Sequence, residues 1–107
     1  MMCTNHPAQK ACRAVAVAFA DYSIDKAENR LERLSDRLKD IRHEFVLDLQ
    51  AMSLTTALMS DVELEFDSFT EAVKSIAARE LDIASSAVAE EGERVAVKVE
   101  RMLSPKT

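Results

Sequence analysis

The sequence predicts an all-α fold, on three observations. One glycine, Gly92, and two prolines, Pro7 and Pro105, punctuate 107 residues, so the chain lacks the residues that build tight turns and hairpins. Ala, Leu, Glu, Arg and Lys dominate the composition, and all are strong helix formers. Ile24, Ala27, Leu31, Leu34, Leu38, Ile41 and Phe45 recur at alternating spacings of three and four, which is the heptad seam of one helix packed on another. The expected architecture is a single helical domain over residues 1–107: a long antiparallel helical hairpin with short terminal helices, dimerising into a homodimeric bundle. A chain of this length forms one domain and buries roughly 60–70% of its unfolded surface.

The first helix is expected from about Pro7 to Ala20. Proline at the first helical position is a start signal, and His6 stands before it as a cap. Ala8, Ala11, Val15, Ala18, Phe19 and Tyr22 keep a helical spacing. Val15, Val17 and Phe19 also alternate as a strand would, as do Val95, Val97 and Val99. The alternative is therefore an α+β chain with short strands near 13–20 and 94–100. "DYSID" offers Asp21, Ser23 and Asp25 as cap formers and predicts an interruption.

The second helix starts with the seam at Ile24 and is expected to run to about Leu58. A third follows over about 61–90, opened by Ser60 and Glu63 as a capping box. Acidic Asp61, Glu63, Glu65, Asp67 and Glu71 crowd its start, where the macrodipole favours anions. Gly92 is expected just past its end, in the left-handed capping role. "ERVAVKVERML" closes the chain as a short helix.

The charge pattern of the second helix suggests a second copy. In an antiparallel self-pair centred near Asp36, Leu31 meets Ile41, Leu34 meets Leu38 and Ala27 meets Phe45. Glu28 then faces Arg42 and Arg30 faces Glu44, opposite in sign and doubled by symmetry. Leu31, Leu34, Leu38, Ile41, Phe45, Glu28, Arg30, Arg42 and Glu44 are thus the expected dimer or partner interface. The rival occupant of the seam is the third helix of the same chain.

Composition limits the function classes. A net charge of −5 and a pI near 5.0 argue against a general nucleic-acid binder, which needs a phosphate-neutralising face. They also argue against electrostatic attachment to anionic lipid. The longest apolar run, "AVAVAFA" at 14–20, is far short of the ~20 residues of a membrane span. It is also poor in the leucines of a secretory leader. Neither nucleic acid nor membrane is an expected partner, and the cytoplasm is the expected location. A single glycine excludes the G-x-G-x-x-G dinucleotide loop.

No complete catalytic or cofactor motif is present. Cys3, His6 and Cys12 could begin a zinc site or, for the two thiols, a disulfide, but the pairs that mark specific zinc sites are missing. The plainer reading is a helix start. Asp40 and His43 have the i, i+3 spacing of di-iron bundles but lie off the seam, with no second such unit. Glu28, Glu32, Asp36, Asp40, Glu44 and Asp48 form a ridge interleaved with Arg30, Arg33, Arg37, Lys39 and Arg42. That is a solvated, salt-laced surface more than a magnesium pocket. Met52 and Met59, among Leu49, Leu54 and Leu58, mark either core or a tip that receives a partner helix.

The expected function is that of a small non-catalytic helical protein, free of cofactors and metals. It would bind a partner protein through amphipathic helix faces, as an adaptor, chaperone, anti-activator or inhibitor. The alternatives are a small magnesium-dependent nucleotide-hydrolysing enzyme and an amphipathic protein coating lipid or granule surfaces.

Overall fold

The structure is a computed structural model and describes residues 6–104. Cys3 lies outside the described residues, and with it the Cys3–Cys12 bridge and the Cys3–His6–Cys12 clip. Four helices follow one another: α1 (Pro7–Ile24), α2 (Arg30–Gln50), α3 (Thr56–Ala78) and α4 (Ser85–Leu103). The described residues contain no strand. Both alternating valine runs are helical, because their neighbours Ala11, Ala18, Ala96 and Leu103 complete buried helical stripes.

The helices close a ring in which α1 packs on α2 and α4, and α3 packs on α2 and α4. Each neighbour runs antiparallel to the next. Asp21 meets Arg37 and Lys10 meets Asp48 across α1–α2, and Arg42 meets Asp67 across α2–α3. Lys98 meets Glu65 across α3–α4, and the Ser23 and Ser85 hydroxyls lie 3.5 Å apart across α1–α4. The core runs through the ring: Val15 and Phe19 from α1, Leu34, Leu38, Phe45 and Leu49 from α2, Val62, Phe66, Phe69 and Val73 from α3, and Val88, Ala96 and Val99 from α4. Phe45 and Phe66 meet at its middle, ring centroids 4.8 Å apart. Both are no more than 2% exposed.

Several sequence expectations are corrected. The terminal helices are not short: α1 and α4 have 18 and 19 residues, against 21 and 23 for α2 and α3. The bundle is four comparable helices, not a long hairpin with appendages. The first helix continues through "DYS" to Ile24, and the break falls at Asp25, whose carboxylate accepts the Ala27 N–H at 2.9 Å. The seam is thereby cut, with Ile24 on α1 and Leu31 on α2. The second helix stops at Gln50, not Leu58, and Ser53 then takes a positive φ of 59°. Thr55, not Ser60, caps α3 by accepting the Leu58 N–H at 3.2 Å.

The third helix stops at Ala78 through a Schellman motif. The Leu81 N–H bonds the Ile76 carbonyl and the Glu80 N–H bonds the Ala77 carbonyl, both at 3.1 Å. Glu80 holds the left-handed position at φ 55° that glycine usually fills. The only glycine sits instead inside α4. A Cβ on Gly92 would lie 3.1 Å from Phe69 Cζ and 3.4 Å from the Cys12 carbonyl oxygen. Its role is close approach of α1, α3 and α4, not helix termination.

Candidate functional site

The two turns at one end of the bundle gather apolar side chains that the core does not take. Here α1 ends, α2 begins, α3 ends and α4 begins. Tyr22, in the last turn of α1, reaches across to α3 and donates its hydroxyl to the Ala77 carbonyl at 3.0 Å. Arg30 opens α2 and lays its guanidinium 4.5 Å above the Tyr22 ring centroid. Its Nη1 donates to the Asp25 and Tyr22 carbonyls at 3.1 and 3.4 Å. The cation thus serves as a cap for the end of α1, with its face held by the ring. Arg33 pairs with Asp25 at 3.4 Å and Arg37 with Asp21 at 2.8 Å. Arg30, Arg33 and Arg37 are thus engaged by their own chain, while Lys26 and Arg79 at the same end are exposed.

Around that polar pin stand Ile24, 76% exposed, Leu81, 48%, Leu31, 39%, and Ile83, 38%. An open cleft of about 550 Å³ lies between Tyr22 and Arg30 on one side and Leu81, Ile83 and Ser85 on the other. Scattered apolar residues are ordinary on a protein surface; several at one end of a bundle are less so. The cleft pairs apolar rims with an arginine already spent on its own chain. Ser23, Ser85, Glu80 and Asp82 share its lining with Leu81 and Ile83, so the surface is mixed, polar along its walls and apolar at its rim.

The expected interface residues divide. Leu34, Leu38 and Phe45 are buried within the bundle, and Ile41 packs against it. The seam is therefore satisfied by the chain itself, and self-pairing through it would require the bundle to open. Arg42 is held by Asp67, at 2.7 and 3.2 Å, and by Glu63 at 3.4 Å. Its pKa is raised, chiefly by the Asp67 hydrogen bond. Glu28 and Glu44 are exposed, and Glu44 borders α1 beside Lys10. Of the nine, Glu28, Arg30 and Leu31 belong to the turn end.

The other candidates separate too. Asp40 and His43 are exposed on α2, as are Glu32 and Asp36. Among the described residues, no group of three or more His, Cys, Asp or Glu side chains is placed to hold a metal ion. His6 accepts the Ala8 N–H through Nδ1 at 3.0 Å, a helix cap. Cys12 is buried, and burial, with Glu93 and Glu100 nearby, pushes its thiol up to about 12. Leu49 is core, Leu54, Leu58 and Met59 pack on it, and Met52 is exposed at the opposite end. No described helix is long and apolar enough to cross a membrane.

Sequence reasoning missed Leu81, Ile83 and Tyr22. The first two fell inside a helix expected to run to residue 90, because a glutamate at the helix-ending position carries no signal. Tyr22 was read only for its spacing, although a buried tyrosine hydroxyl needs a partner. No protein-family model, curated protein or solved structure matches this chain.

Proposed function

We propose that this is a non-catalytic helical bundle that binds a partner protein at its turn end, working in the cytoplasm as an adaptor, chaperone or inhibitor. The reading is carried by exposed Leu81 and Ile83 at the Tyr22–Arg30 cleft, with exposed Ile24 in the adjoining groove that shares Tyr22 and Arg30. The partner contributes an apolar side chain or helix end, and the exposed charges beside the cleft select against wrong partners.

A photo-crosslinking residue at position 81, in cells that make the protein, tests this. One discrete adduct is expected, lost when Ile83→Asp is added in a chain of unchanged helicity. A control crosslinker at Ser60, near the opposite end, should give none. No adduct at 81, or the same adduct from both positions, would overturn the reading.

A further inference from the structure

Over two helical turns α1 contributes no charge of its own to its outward side, and Glu93 of α4 borders that side beside Arg13, Ala16 and Val17. Between Arg13 and Asp21 the sequence reads AVAVAFA. Val15, Ala18 and Phe19 point into the core, whereas Val17 is 54% exposed and Ala16 and Ala20 are half-buried. Two turns beyond Val17, Ile24 continues the same face. The outward faces of the other helices differ. On α2, Leu47 lies one turn from His43 and two from Asp40; on α3, Leu64, 67% exposed, lies between Asp61 and Asp67; on α4, Val97 stands among Glu90, Glu93, Arg94, Lys98 and Arg101. What distinguishes the α1 face is that its charges, Arg13 and Asp21, stand at its two ends with seven uncharged residues between them.

Charge then says what fits this face. Arg13, Val17 and Asp21 form one i, i+4 row. When two helices cross with such rows aligned, the rows lie along each other, and each sits beside the other's neighbouring row. Place a second copy antiparallel, with the two-fold axis at Val17. Arg13 then comes opposite Asp21 of the second copy, and the symmetry repeats the pair. Each Val17 enters the depression beside Ala16 and Ala20 of the other chain, and the Lys10 stem lies along Ile24. In the parallel arrangement Arg13 meets Arg13 and Asp21 meets Asp21, so charge selects the antiparallel one.

We infer that this face of α1 is a self-association surface, α1 packing antiparallel on α1 of a second copy through Val17, Arg13 and Asp21. This is a different interface from the α2 seam, which the bundle buries. Asp21 already touches Arg37 of its own chain, but both side chains are about half exposed and the carboxylate can accept from both cations. A single crossed helix pair buries less than the ~800 Å² per partner of a standard interface. The dimer is therefore weak and depends on concentration. It shares Ile24 with the turn-end surface but neither Leu81 nor Ile83, and its variants at Val17, Arg13 and Asp21 leave the residues crosslinked there unchanged.

Sedimentation equilibrium up to about 1 mM protein, a concentration that registers weak association, decides the matter. The wild-type chain should show a reversible monomer–dimer equilibrium. Val17→Glu should abolish it. Arg13→Asp sets two like-charge contacts across the axis and should weaken dimerisation about tenfold. Adding Asp21→Arg should recover most of that loss. Circular dichroism on each variant confirms that the monomer fold is retained. A wild-type chain that stays monomeric, a Val17→Glu chain that still dimerises, or a double reversal that recovers nothing would each overturn the inference. The crosslinking result at position 81 is independent of all three.

Discussion

Replacing Gly92 by alanine tests the closest helix approach in the bundle, and the sign of the effect decides it. In an open helix, alanine is about 0.8–1.0 kcal/mol more favourable than glycine. At position 92 the added methyl would lie 3.1 Å from Phe69 Cζ and 3.4 Å from the Cys12 carbonyl oxygen. Phe69 is 3% exposed and has little room to retreat, and the carbonyl is part of the α1 backbone. Relieving the contact moves a core ring or spreads helices, which costs about 1–3 kcal/mol. The difference is a net destabilisation of ~1 kcal/mol, equal to a melting temperature lower by about 4–8 °C. Urea unfolding followed by circular dichroism measures it, provided the denaturant slope is unchanged. Adding Phe69→Leu should return part of the loss, a coupling that a double-mutant cycle isolates. A Gly92→Ala chain stabilised by about 1 kcal/mol, the open-helix value, would refute the close packing.

Three further outcomes are expected. Glu80→Gly removes the left-handed penalty of a side-chain residue and should stabilise the chain by about 0.5–1 kcal/mol in the same urea assay, because that penalty exceeds the entropic cost of glycine; a loss would count against the Schellman cap. Leu38→Ala should cost about 2–5 kcal/mol, whereas Leu31→Ala, at a half-open site on the same heptad seam, should cost less than half as much; equal costs would contradict the split of that seam between core and surface. The Cys12 thiol is raised from 9.0 to about 12 by burial and by Glu93 and Glu100, so its contribution to stability is fully present below pH 9 and is lost as pH rises towards 12. The slope in that window is up to about 1.4 kcal/mol per pH unit. Cys12→Ala should flatten it, and a wild-type slope identical to that of the variant would refute the assignment.

Legibility in the sequence followed the physics of each signal. Buried stripes are readable: Ala8, Ala11, Val15, Ala18 and Phe19 keep a helical spacing in the sequence and form part of the core. Not all the caps are. His6 and Asp25 are legible caps, but the left-handed positions in the turns after α2 and α3 are held by Ser53 and Glu80, residues that do not favour that conformation, so those two breaks leave no mark. The one glycine misled for the converse reason: its value lies in what it lacks beside Phe69, a tertiary fact invisible to local reading. The α2 charges were matched to a second copy because periodicity alone cannot say which helix fills a seam. Arg42 finds Asp67 twenty-five residues on. For the turn-end site, Leu31 and Arg30 could be named from spacing, while Leu81 and Ile83 required knowing where α3 stops.

The ring of helices has a topological consequence. The most extensive packing joins α1 to α4, the pair farthest apart along the chain, and their antiparallel course brings Pro7 and Leu103 to the same end of the bundle. Chain order is therefore nearly incidental to the architecture. Joined there by a short linker and cut instead between Arg79 and Ala84, the same helices would read α4, α1, α2, α3 around an unchanged core. The contact that now spans almost the whole sequence would become a local hairpin, and the α3–α4 seam would inherit the burden of closing the circle.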